Sequence, residues 1–78
     1  MEVLVSPNPF QDWLEITVNS DEKYFCQIFS GTGQIVWAHS IEGEDVFYPL
    51  EFDSGVYFLS IQDAKGRIVD TEVIVKID

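Results

Sequence analysis

The sequence predicts an all-β fold, a sandwich of about seven short strands in one domain spanning residues 1–78. Three observations lead there. Apolar and polar residues alternate with a period of two, as in Leu14-Glu15-Ile16-Thr17-Val18. Glycine, proline, asparagine and aspartate cluster between such runs, where tight turns need them. No stretch carries apolar residues at helical spacing, and no internal repeat, low-complexity tract or linker is evident.

From the N-terminus, Val3 to Val5 is the first expected strand, and Ser6-Pro7-Asn8-Pro9 stops it. Two prolines remove ladder donors and hold the backbone extended. Trp13 to Val18 is the second strand, with Leu14, Ile16 and Val18 inward and Glu15 and Thr17 outward. Asn19-Ser20-Asp21-Glu22 is a polar turn. Tyr24 to Ser30 and Gln34 to His39 are expected to form a hairpin about Gly31-Thr32-Gly33, whose glycines supply positive φ. Pairing Ser30 with Gln34 sets Cys26 opposite Ala38, Gln27 opposite Trp37 and Ile28 opposite Val36. Cys26, Ile28 and Val36 then share the inner face, and Phe25, Gln27, Phe29 and Trp37 the outer one. Ile41 to Asp45 reads as an acidic loop, and Asp45 to Leu50 as a short strand ended by Pro49.

Asp53-Ser54 then turns into the strand Gly55 to Gln62, with Tyr57, Leu59 and Ile61 inward. Phe58 on its other face marks this strand as central. Gly55 is expected in a backbone conformation that a β-carbon would penalise. Tyr57 should be buried, with its hydroxyl bonded near the turn. Asp63-Ala64-Lys65-Gly66 closes the last hairpin, and Arg67 to Ile77 returns as the final strand. Val69, Thr71, Val73, Val75 and Ile77 are its more apolar set and are expected to cover the core, with Lys76 in solvent. Ile68 and Ile74 belong to the other set, which implies a local bulge. Strand number and turn spacing argue for immunoglobulin-like connections.

Composition bounds the function. Net charge is −10, from 14 acids against four lysines and arginines, so the chain repels nucleic acid and anionic lipid surfaces. No apolar run approaches the roughly 18 residues that span a bilayer, so direct membrane insertion is not expected. The start, Met1 to Pro7, does not read as a secretory signal peptide. A single cysteine permits no internal disulfide.

Candidate chemistry is sparse. Cys26 and His39 are the available nucleophile and base, but the register above puts His39 opposite Phe25, on the other face from Cys26. Cys26 reads as a buried small hydrophobe. One Cys and one His cannot make a zinc site, and Glu42, Glu44 and Asp45 lack calcium-loop spacing. Gly31-Thr32-Gly33 joins two strands and leads into no helix, so it is not a phosphate loop. No catalytic residue, metal or cofactor is expected. Trp13 and Trp37 both fall on outer strand faces, which supports a second reading as a carbohydrate-binding or adhesive module.

Two resemblances sharpen this. Asp53-Ser54-Gly55-Val56-Tyr57-Phe58 resembles the tyrosine corner of immunoglobulin variable domains, but Leu59 stands where their second cysteine would be. The match is shared sandwich grammar, not kinship. Nearly the whole chain resembles the type A C-terminal sorting domains of cargo exported by the type IX secretion system of Bacteroidota. The residues that carry this are Ser6-Pro7-Asn8-Pro9-Phe10, Leu14 to Val18, Ile28-Phe29-Ser30-Gly31-Thr32-Gly33-Gln34-Ile35-Val36, Ser54 to Phe58, Asp63 to Gly66, and Val73-Ile74-Val75-Lys76-Ile77. Phe52 stands where the family often has leucine, and the tail is poor in lysine and ends in Asp78.

The resemblance implies a non-catalytic sorting domain at the end of a larger exported protein, its N-terminal cargo in the same chain. Its partners would be the type IX outer-membrane translocon and a sortase-like peptidase. The cargo would pass through the periplasm of a Gram-negative bacterium and be secreted or joined to lipopolysaccharide on the cell surface. The translocon would read Val73, Ile74, Val75, Lys76, Ile77 and Asp78. Pro7, Asn8, Pro9, Gly33, Gly55, Tyr57, Asp63 and Gly66 would be structural motif residues.

Overall fold

Alternation and turn chemistry produce an all-β chain with two sheets. The computed structural model describes residues 2–47 and 52–77. In chain order the strands are β1 (Val3–Ser6), β2 (Leu14–Val18), β3 (Lys23–Ser30), β4 (Ile35–Glu42), β5 (Glu44–Phe47), β6 (Gly55–Gln62) and β7 (Ile68–Lys76). One sheet has the order β1-β2-β5 and the other β4-β3-β6-β7. Every neighbouring pair within the sheets is antiparallel.

The buried sides of the two sheets share one core. Leu14, Ile16 and Val18 of β2 meet Tyr24, Cys26 and Ile28 of β3 and Tyr57, Leu59 and Ile61 of β6 in a single apolar cluster. These inward sets are the ones the period of two predicts. β6 lies between β3 and β7, as the apolar residues on both its faces require.

The larger sheet contains a repeat that the sequence reading missed. Tyr24-Phe25, Ile28, Gly33, Ile35-Val36 and Ile41 recur in the same order and spacing as Tyr57-Phe58, Ile61, Gly66, Ile68-Val69 and Ile74. Both copies fold alike. The Ser30 N–H donates to the Gln34 carbonyl at 2.8 Å and the Gly33 N–H to the Ser30 carbonyl at 3.0 Å. The Asp63 N–H donates to the Arg67 carbonyl at 2.9 Å and the Gly66 N–H to the Asp63 carbonyl at 3.0 Å. Gly33 and Gly66, at φ of 91° and 81°, supply the left-handed third residue that such three-residue loops need. Each returning strand then skips one valine. Phe29 pairs with Ile35 but Ile28 with Trp37, and Gln62 pairs with Ile68 but Ile61 with Asp70. Where β3 and β6 lie side by side, Gln27 faces its own counterpart Ser60, so the two hairpins are related by an approximate two-fold axis. The repeated residues are ordinary strand and turn formers, which hides them in a chain that is strand and turn throughout.

The bulged valines correct the predicted faces, because one extra residue inverts inside and outside beyond it. In β4 the expected register holds beside the turn and fails after Val36. Cys26 faces His39 instead of Ala38, Gln27 faces Ala38, and Ile28 faces Trp37. Trp37 therefore turns inward and packs against the core, while Val36 is exposed. Ile41 and Glu42 belong to β4 instead of an acidic loop, and Ile41 is buried. The strand expected at Asp45 to Leu50 begins at Glu44, and residues 48–50, with Pro49, lie outside the described part.

In β7 the expected inner set is the wrong one. Tyr57, Leu59 and Ile61 pair with Ile74, Glu72 and Asp70, and directly opposed residues point to the same side of a sheet. Ile74 is fully buried, whereas Val73 is 56% and Ile77 43% exposed. A three-stranded sheet cannot cover the whole of a four-stranded one. Inward positions near the rim can therefore be acidic, and an edge strand can carry more apolar residues outside than in.

Candidate functional site

β7 and the segment beside it form the region where the expected signal residues come together. β7 is an edge strand of the larger sheet. Its outer edge is not open along its whole length, because Asn8 to Phe10 lies along it. The Phe10 N–H donates to the Val75 carbonyl and the Ile77 N–H to the Phe10 carbonyl, both at 2.8 Å, which gives a parallel bridge between Phe10 and Lys76. The Asn8 side-chain amide donates to the Val73 carbonyl at 2.9 Å, and its Oδ1 accepts the Val75 N–H at 3.0 Å. One carboxamide thus mimics a peptide unit of a neighbouring strand. Phe10 is fully buried and anchors this strap, whereas Asn8 is exposed. Pro7 and Pro9 flank Asn8 and follow cis peptide bonds. Neither can donate to a further strand.

The expected tail residues divide between three environments. Ile74 is core, Val73 and Ile77 are exposed, and Val75 is half-buried. Lys76, expected in solvent, is half-buried in phase with Ile74, and its Nζ donates to the Ile77 carbonyl at 3.0 Å. Asp78 lies outside the described residues. The motif residues are brought to two ends of the larger sheet. At one end, the Tyr57 hydroxyl donates to the Asp53 carbonyl at 2.7 Å, and the Tyr57 ring stacks on Phe52 with centroids 4.9 Å apart. Gly55 enters β6 at φ 154°, as the turn ahead of a buried tyrosine demands. At the other end, Asp63 Oδ1 accepts the N–H groups of Lys65 and Arg67, and its Oδ2 accepts from the Arg67 Nε at 3.1 Å. The Arg67 backbone donor is the largest influence on the Asp63 carboxyl, and desolvation, the next largest, opposes it. The Lys65 N–H and the guanidinium add to the donor's effect, so the carboxyl lies below its ordinary range. Glu72 moves the other way: burial first, and then the neighbouring Asp70, push its carboxyl up.

The remaining candidate groups do not assemble into a reacting site. Cys26 and His39 stand directly opposite in register, contrary to the expectation that they face opposite ways. Yet Cys26 is fully buried, so a substrate has no route to its thiol. Glu42 and Glu44 flank Gly43, and among the described residues no three metal-ligating side chains cluster. Trp13 is 42% exposed just before β2, but Trp37 packs against the core, so the pair of outward indoles required by an adhesive module is not formed. Among the described residues no helix is long and apolar enough to cross a membrane.

The outer face of the larger sheet was not singled out from the sequence. Ile35, Phe29, Phe58 and Val73 run across all four strands in one row. Beside that row lies a shallow depression of about 340 Å³ lined by Gln27, Phe29, Phe58, Ser60, Gln62 and Thr71, among others. Gln62 Nε2 donates to Gln27 Oε1 there at 3.1 Å. Glu72 is the single ionisable residue of the lining. Register was the signal that could have found this row, and register was what the bulges concealed.

A search of curated proteins returns no match. A protein-family model, described as the secretion system C-terminal sorting domain, matches residues 4–76. The match runs from β1 through the end of β7 and takes in the strap, the tyrosine corner and both hairpins. The chain belongs to the type IX secretion system C-terminal sorting domain family, a family of C-terminal secretion signals that is typically non-catalytic.

Proposed function

We propose that this domain directs an attached N-terminal cargo through the type IX outer-membrane translocon to the cell surface. Passage is through the periplasm, and a sortase-like peptidase then exchanges the domain for attachment to a surface lipopolysaccharide. The family match over residues 4–76 is the observation that carries this reading. The part offered to the translocon is the tail, Val73, Ile74, Val75, Lys76, Ile77 and Asp78. Val73 and Ile77 give it exposed apolar side chains at the edge of a sheet, and Ile74 holds them in place from the core. The domain needs no cofactor and does no chemistry of its own. Its connectivity is that of a seven-stranded immunoglobulin-like sandwich, a reading supported by the order β1-β2-β5 facing β4-β3-β6-β7 and by the Tyr57 corner.

The test is export of a reporter fused ahead of the domain in a strain with a working type IX system. Deleting residues 76–78 should leave a folded domain, since the core residues all lie upstream, and should stop the reporter reaching the surface. Lys76→Ala alone should have a smaller effect. Export of the truncated fusion at the full rate would overturn the tail assignment.

A further inference from the structure

We propose that the Pro7–Phe10 strap is a two-part cover over a latent strand-acceptor edge, with Phe10 as its anchor and Asn8 as a latch that opens. The edge in question is the outer side of β7. The Val73 carbonyl, both polar groups of Val75 and the Ile77 N–H point that way, as their bonds to Asn8 and Phe10 establish. Alternation along a strand puts the polar groups of Thr71 on the same side. Beyond Thr71 the bulge at Val69 breaks the edge. With the strap in place, the stretch open to pairing is too short to hold an incoming strand. Release of Asn8 extends it from Thr71 to Val75.

The two halves of the strap differ in what holds them. Phe10 is sealed in the core, so lifting it costs packing. Asn8 is held by two hydrogen bonds that are both exposed to water, so it exchanges partners without disturbing the core. The prolines on either side complete the cover. An edge strand ordinarily templates another strand, but a Pro-Asn-Pro segment has one backbone donor among three residues and passes no pairing outward. The occupant that fits the opened edge is an extended segment of another chain, which satisfies the Val73 carbonyl and the Val75 N–H in place of the Asn8 carboxamide. The cover is a property of the domain alone and stands whether or not the tail is an export signal.

The test uses the whole chain and a fluorescein-labelled peptide with the sequence of residues 68–77 as the strand probe. Amide hydrogen exchange followed by NMR should show the Val75 N–H exchanging roughly tenfold or more faster in Asn8→Ala, as loss of one hydrogen bond implies. The Ile77 N–H, held by Phe10, should change less. The peptide should bind Asn8→Ala more tightly than wild type and shift the Thr71 and Val73 amides. If Asn8→Ala does not fold, Asn8→Asp replaces it. That variant keeps an acceptor for Val75 and loses the donor to Val73, so its peptide affinity should still rise. Val75 exchange in Asn8→Ala within twofold of wild type, equal peptide binding by wild type and variant, or peptide shifts confined to β4 would each overturn the proposal.

Discussion

The hairpins β3–β4 and β6–β7 start from one motif and end in different ways. Each opens with Tyr-Phe, turns on a left-handed glycine, bulges at a valine and buries an isoleucine near its far end, Ile41 in one and Ile74 in the other. After Ile41 the chain turns at Gly43 and crosses to the smaller sheet, where the Gly43 carbonyl accepts the Val18 N–H. After Ile74 the chain stays at the edge, and the N-terminal strap comes to it. The first hairpin therefore ties the two sheets together, and the second is closed from outside by a removable segment. What distinguishes a structural edge from one that can be offered to a partner is the continuation of the chain, not the hairpin.

The largest effect expected bears on the corner of the second hairpin. Tyr57→Ala removes a buried ring, its stack on Phe52 and the bond to Asp53, and should cost about 3–5 kcal/mol in denaturant unfolding. A cost under about 1 kcal/mol would mean that β6 is not held as described.

A pair of substitutions sharpens the equivalence of the two hairpins. Ile41→Ala and Ile74→Ala occupy matching buried positions, and each should cost about 2–4 kcal/mol. Val73→Thr, one residue away on the outer face, should stay within about 0.5 kcal/mol. Comparable losses at Val73 and Ile74 would show that the bulge at Val69 does not invert the strand.

The smallest effect expected is electrostatic and confined to the second hairpin. The Glu72 carboxyl is raised, so its ionised form weakens the fold near neutral pH, and protonation relieves this as pH falls through the raised value. The Asp63 carboxyl is lowered, so its contribution is present above the unfolded value and is lost as pH falls through the folded one. Glu72→Gln should raise the melting temperature slightly at pH 7, and its curve should converge with that of wild type in mild acid. A constant gap across that range would remove the pH argument.

The sequence alone determined the class, most strand positions, the inward sets of β2, β3 and β6, the Tyr57 corner and the family. All of these rest on local chemistry: a period of two, a turn residue with the right φ, a tyrosine four residues past its acceptor. Tertiary structure alone decided the faces of β4 and β7 and the destination of the Pro-Asn-Pro segment. A bulge adds a single residue and leaves no mark in composition, yet it moved Trp37 inward and Val73 outward. Apolar content misled at β7 because the smaller sheet does not reach across the larger one, so burial there depends on what lies opposite. Asn8 read as a strand stop. Its carboxamide became a strand partner only when folding brought the two ends of the chain together, and no local pattern encodes a contact between residues so far apart in sequence.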